Sequence, residues 1–293
     1  MVKRYFPIIF ISVIVIAIYF QVVIEMVTQW WDDSNYSHGF LIPIVSGYLI
    51  WQKKESLVNI LHKKSNLGLI VIIFGSIIYI IGTAAAEFFT ARFSFVLIIF
   101  GITLFYFGKK FMKELWFPIL FLLFMIPIPY VIYYSVTFPM QLLSSQMASS
   151  FLQLIDLPVL RQGNIINLPN YTLEVAEACS GLRSLMTLSA LGAAMAYMIQ
   201  KTTSGGVFLF LLSVPIAIGA NVFRIIITAL GAYFISPKLA EGFLHEISGL
   251  VVFLVGFISL GMAGTIINWI GEMKDYHPAI EQNVNSDANI IQE

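Results

Sequence analysis

Apolar stretches recur along this chain at about 5–24, 39–51, 67–86, 91–108, 115–134, 178–199, 206–235 and 247–270. Most approach the roughly 20 residues that carry a helix across a hydrocarbon core about 30 Å thick. Inside lipid every backbone N–H and C=O must be satisfied within its own element, so such stretches have to be helices. The expectation is an all-α polytopic membrane protein: a bundle of about eight transmembrane helices with an interfacial helix and a short extended outer segment. The membrane domain covers residues 1–275 and a cytoplasmic polar tail covers 276–293. Composition agrees, with 59% hydrophobic and 11% charged residues in 293, far from a soluble domain. The second stretch is short and opens Gly39-Phe40-Leu41-Ile42-Pro43, which suits a tilted or partly interfacial helix. Met1-Val2-Lys3-Arg4 precedes an apolar run with no small-x-small site after it, so this run reads as an uncleaved anchor.

Lysine and arginine set the direction. Threaded with both termini in the cytoplasm, eight spans leave Lys3, Arg4, Lys53, Lys54, Lys63, Lys64, Lys109, Lys110, Lys113, Lys201 and Lys274 inside, and only Arg92, Arg161 and Lys238 outside. That asymmetry follows the positive-inside rule. No basic face is long enough to track phosphates, which excludes nucleic acid as a partner. The outer segments are then Glu25 to His38, Ser135 to Glu177 and Ser236 to Glu246. Phe138 to Ile155 alternates apolar residues at helical spacing with serines and glutamines, as an interfacial helix does. Arg161 to Val175 reads as two short extended pieces broken at Gly163-Asn164 and Pro169-Asn170.

That extended piece leads into Glu177-Ala178-Cys179-Ser180-Gly181-Leu182-Arg183, which holds the only cysteine. A thiol at the mouth of a helix, with an arginine one turn on, is in a setting that favours thiolate. The plainer reading is a small buried apolar residue. Arg224 interrupts the run Val214 to Ala232, where an arginine requires a partner or a wet cavity. Counted from Gly206 at 1.5 Å per residue it lies about 27 Å along, near the outer surface. Cys179 and His245 begin their spans at that same face. Asn221, at i−3 from Arg224, shares its helix side and can orient it, and Arg183 can offset Glu177 or support the thiolate. Polar side chains of this kind also serve simply to join helices.

Several sharper chemistries are excluded by spacing. His245-Glu246-Ile247-Ser248-Gly249 lacks the second histidine of a zincin, and Ala178-Cys179-Ser180-Gly181 is not a serine-hydrolase elbow. Asp32, Asp33 and His38 could bind a cation, although no further clear ligand cluster accompanies them. Trp30, Trp31 and Tyr36 in the same loop fit interface anchors.

Five ordered blocks between about Trp30 and Leu260 resemble the exosortase/archaeosortase family of membrane cysteine transpeptidases. They are Tyr36-Ser37-His38-Gly39-Phe40-Leu41-Ile42-Pro43, Phe117-Pro118 through Ile126-Pro127-Ile128-Pro129, the segment around Cys179, Asn221-Val222-Phe223-Arg224, and His245 to Gly249. Histidine in the last block resembles the bacterial exosortases. The resemblance implies Cys179 as nucleophile with Arg224 and His245 completing the site, and Glu177, Ser180, Arg183, Asn221 and His38 in supporting or substrate-binding roles. It implies no metal or organic cofactor. The implied partners are membrane lipid and exported proteins bearing a C-terminal motif such as Pro-Glu-Pro, a transmembrane helix and a basic tail. Cleavage would occur at the outer face of a bacterial inner membrane, with transfer to an acceptor nucleophile or release. Two other readings stand beside it: a transporter or channel lined by Arg183, Arg224 and Glu87, and a non-catalytic factor for exopolysaccharide assembly.

Overall fold

A computed structural model describes residues 2–61, 63–175, 182–237 and 243–290, with 2–8, 182, 243–248 and 274–290 described by backbone alone. The chain divides into two units, Met1–Val136 and Thr137–Glu293.

The first unit begins with α1, Val2–Asp32, followed by a 3-10 turn, Ser34–Phe40, the short α2, Leu41–Gln52, and α3, Lys54–Val58. Next come α4, Asn66–Ala84, and α5, Phe88–Phe121, with a further 3-10 turn at Leu122–Met125. Glu87 caps α5, its carboxylate accepting from Phe89 N at 3.2 Å and Thr90 N at 2.6 Å. Backbone hydrogen bonds left open at a helix start are closed in this way.

α5 is a helical hairpin rather than a rod. Its two ends both reach adjacent residues of α1: Arg92 donates to Gln29 at 2.6 Å, and Trp30 Nε1 donates to the Met125 carbonyl at 2.8 Å just past the other end. A straight helix of that length would hold those ends about 50 Å apart at 1.5 Å per residue. The reversal is at Gly108, whose φ of 83° and ψ of −178° are open essentially to glycine alone.

The second unit takes over within α6, Tyr130–Leu154. It continues through β1, Leu160–Gln162, β2, Ile165–Leu168, and β3, Tyr171–Glu174, to α7, Leu182–Ile199, α8, Thr203–Phe234, and α9, Phe243–Ile290. The strands form one antiparallel sheet in the order β1-β2-β3, with Arg161 opposite Ile166 and Ile166 opposite Leu173. Three strands stand where the sequence suggests two pieces, because Gly163-Asn164 and Pro169-Asn170 each turn the chain fully. α9 stays helical to Ile290, through the polar tail.

Five helices among the described residues are long and apolar enough to cross a membrane: Ile9–Asp32, Asn66–Ala84, Phe88–Met125, Thr203–Phe234 and Gly249–Met273. The expected eight spans do not all stand as separate helices of that kind among the described residues, and two features account for part of the difference. α2 has 12 residues, about 18 Å of helix and too short to span. The expected 91–108 and 115–134 spans are arms of one element, α5, and the second ends early. Ile126-Pro127-Ile128-Pro129 cannot continue a helix, since each proline lacks an N–H and disfavours helical backbone before it.

Candidate functional site

α6 buries the opposite face from the one its apolar spacing suggests. Thr137, Gln141, Ser144, Ser145 and Ser149 are buried with Ala148 and Leu152, while Phe138, Leu143, Met147, Phe151 and Leu154 are exposed. Small polar side chains let helix backbones approach closely, and a surrounding apolar medium suits the outward phenylalanines and leucines. Ala148 and Leu152 pack in one cluster with Ile166, Leu173 and Val175 of the sheet region and with Val222, Ile225 and Ala229 of α8. Ser145 Oγ donates to the Gly163 carbonyl at 2.9 Å, which fixes the first strand turn on α6. Asn170 Nδ2 donates to the Ala232 carbonyl at 3.3 Å, fixing the second on α8.

This cluster carries the chain to the cysteine segment. Val175 is fully buried, and its N–H donates to the Asn164 carbonyl at 2.9 Å. It anchors the segment's entry in the same buried cluster as Val222 and Ile225, the two residues that flank Arg224 on α8. Asn221 is also fully buried, with Nδ2 reaching Ser144 Oγ at 3.5 Å, and Arg224 is half-buried and engaged.

Depth along the helices follows from close contacts. α7 and α9 run in the same direction: a Cβ on Gly256 would sit 2.4 Å from Leu188, and one on Gly192 would lie 3.8 Å from Leu260. α8 runs the other way, with Gly192 against Ser213 at 2.8 Å and Gly264 against Leu209 at 3.3 Å. Three turns outward from the Gly192, Ser213 and Leu260 level, this register brings Arg224 level with Gly249 of α9 and with the N-terminal end of α7. The His245 backbone, in the first turn of α9, is then about 6 Å further out, one turn of helix.

Cys179, Glu177 and Ser180 lie outside the described residues. Arg183 is exposed on the first turn of α7 and is engaged by a partner. His38 belongs to the first unit, so it is built into a different cluster from Arg224 and Asn221. It is buried, with Nε2 donating to the Phe124 carbonyl at 3.2 Å. Burial pushes its pKa below the ordinary histidine value, against the opposing pull of the Phe124 and Asn35 carbonyls. Beside it, Tyr36 donates to the Ile128 carbonyl at 3.4 Å, and burial pushes that phenol up to about 12. Together with Trp30 and Met125, these bonds tie the 36–43 block to the 117–129 block. They give His38 a bracing role in which its donor nitrogen is already spent.

Sequence reasoning missed the buried face of α6, which supports Asn221 through Ser144. Its signal was present: Thr137, Gln141, Ser144, Ser145 and Ser149 recur at i, i+4, i+7, i+8 and i+12, one side of a helix. Among the described residues no group of three or more His, Cys, Asp or Glu is placed to hold a metal.

A family model described as transmembrane exosortase matches residues 30–262. No curated protein and no solved structure matches the chain.

Proposed function

The chain belongs to the transmembrane exosortase family, and from that premise we propose that it is a membrane cysteine transpeptidase that cleaves C-terminal sorting signals of exported proteins. The observation that carries the reading is the shared level of the chemistry-bearing segments in the second unit. Val175 shares a buried cluster with Val222 and Ile225, and the helix register is consistent with Arg224 level with the start of α7 and the His245 backbone about one turn further out.

In this reading the Cys179 thiolate attacks the carbonyl carbon of the scissile peptide bond. Electrons move onto the carbonyl oxygen, and Arg224 stabilises that oxyanion, a contribution often worth about 3 kcal/mol per donor. Collapse breaks the C–N bond, leaving a Cys179 thioester, and His245 protonates the departing amine. His245 then takes a proton from the incoming acceptor or water, whose attack on the thioester frees the thiolate. Asn221, held by Ser144 of α6, keeps the Arg224 turn in place. Glu177, Ser180 and Arg183 flank the nucleophile. The site faces the periplasm by the lysine and arginine distribution, and its substrates carry a short motif, an apolar helix and a basic tail.

Co-expression of the chain with a tail-bearing substrate tests this. Cys179→Ala is expected to abolish the cleaved product, and continued cleavage would sink the thiol mechanism. Arg224→Lys is expected to leave membrane levels unchanged and processing largely lost, because a point charge does not reproduce the planar donor fork. Wild-type processing by that variant would remove Arg224 from the reaction.

A further inference from the structure

A second concave site lies in the first unit, at the opposite helix ends from His38 and Met125. Beside the α5 reversal lies a cavity of about 670 Å³, lined by described residues of the α3–α4 connection and of α5, with Lys63, Lys64, Lys109, Lys110, Leu61 and Phe107 among them. The backbone of residues 63–65 is held at two points. Ser65 N donates to the Phe105 carbonyl at 3.2 Å, and the Lys63 carbonyl rests on Gly108 so closely that a Cβ there would approach to 1.9 Å. The two lysine pairs are thus fixed beside each other by packing at their own backbone.

Four lysine side chains gather around one cavity, and no acidic residue among the described ones lines it. None of the four is in an ion pair among the described residues, and the neighbouring Glu114 is already bonded to Lys53 at 3.2 Å. Such an arrangement is relieved by a polyanion. The same junction exposes large apolar side chains, Val58 at 83% and Leu61 at 89%, immediately before the membrane-crossing α4. A free phosphate would account for the lysines and leave Val58 and Leu61 in water. A ligand with a phosphate head and apolar chains accounts for both.

We propose that this cavity binds the headgroup of an anionic glycerophospholipid from the cytoplasmic leaflet, with its acyl chains lying over Val58 and Leu61. The lipid bridges the α3–α4 linker to the α5 reversal and holds the two arms of α5 together. This proposal is independent of the peptidase reading, since it involves none of the residues assigned to that reaction.

Native mass spectrometry of the detergent-purified full chain tests it, with phosphatidylglycerol, phosphatidylcholine and inorganic phosphate as probes. Wild-type protein is expected to retain phosphatidylglycerol in preference to phosphatidylcholine. A lysine near an anionic headgroup contributes on the order of fivefold, so combining K63Q, K64Q, K109Q and K110Q should lower phosphatidylglycerol affinity at least tenfold. Arginine at the same four positions should preserve it, which separates lost charge from lost fold, and the four lysines are exposed enough for both sets to fold. Val58→Ser with Leu61→Ser should weaken lipid retention and leave phosphate binding unchanged. Equal retention of the two lipids by wild type, or unchanged phosphatidylglycerol retention in the glutamine variant, overturns the proposal. So does inorganic phosphate that binds in place of lipid while the serine variant retains lipid normally.

Discussion

Replacing Gly108 by alanine tests whether α5 really reverses on that residue. Two costs are readable. The backbone at φ 83° and ψ −178° is nearly closed to residues with a Cβ, at about 1–3 kcal/mol. The new methyl would also lie 1.9 Å from the Lys63 carbonyl oxygen, where ordinary contacts begin at 3.4 Å. The linker must then retreat by about 1.5 Å, endangering the Ser65 to Phe105 hydrogen bond, worth about 1 kcal/mol net. The expected loss is about 3 kcal/mol, roughly a hundredfold in the unfolding constant. Gly163→Ala is the internal comparison: φ is 66° there, but nothing lies within 4 Å of the added Cβ, so only the conformational cost of about 1–2 kcal/mol applies. Titration with dodecyl sulfate in mixed micelles, followed by circular dichroism, reads both. Equal losses for the two variants would refute the steric argument, and a Gly108→Ala protein as stable as wild type would refute the reversal itself.

Trp30→Phe removes the indole donor from the buried Met125 carbonyl and should cost about 1–3 kcal/mol in the same titration; an unchanged midpoint would mean that the two blocks are not joined there. Ser144→Ala should be nearly silent in folding and processing, whereas Ser144→Leu, at a fully buried position facing Asn221, should wedge α6 from α8 and cut processing at least tenfold, an overpacking effect of order 1–3 kcal/mol. Burial pulls the Glu87 carboxyl upward, but the hydrogen bonds from Thr90 and Phe89, together with Arg92, outweigh it and hold its folded pKa below the ordinary glutamate value of 4.5. A depressed carboxylate contributes stability that is complete above 4.5 and lost as pH falls through the lower folded value. Glu87→Gln should therefore flatten the acid limb of the stability profile, and an identical limb in both proteins would contradict the cap.

What the sequence discloses, and what it hides, differs by the kind of force involved. Hydropathy is a property of composition, so α1, α4, α8 and the membrane-crossing part of α9 are visible within a few residues. Turn chemistry is equally local, and Gly163-Asn164 and Pro169-Asn170 mark the two bends of the sheet. Non-local pairing is where reading along the chain falls short. Nothing at Gly108 alone distinguishes a glycine packed in lipid from one on which a helix doubles back; that requires knowing that Arg92 and Met125 both meet α1. α6 misleads for a related reason. Amphipathic spacing is ordinarily read with apolar residues inward, a rule derived from water, and in a lipid setting small polar residues take the packed face.

The same reasoning sharpens the functional assignment. Hydropathy alone brings Arg224 and His245 to one end of the bundle, which a structural pair of helix-end residues would also satisfy. Close glycine contacts supply the missing coordinate, because they fix register residue by residue: Leu188 at Gly256 and Ser213 at Gly192 leave little freedom for α7, α8 and α9 to slide. A transporter would gain nothing from holding its cation so near one end, since midplane sites serve alternating access. A transpeptidase does gain, because its oxyanion donor must stand fixed before the tetrahedral oxygen forms, and preorganisation is what makes such a donor effective. In the proposed reaction, buried Asn221, one helical turn from Arg224 and bonded to Ser144, would supply that fixity. A conservative change at Asn221 should lower turnover while leaving substrate capture intact.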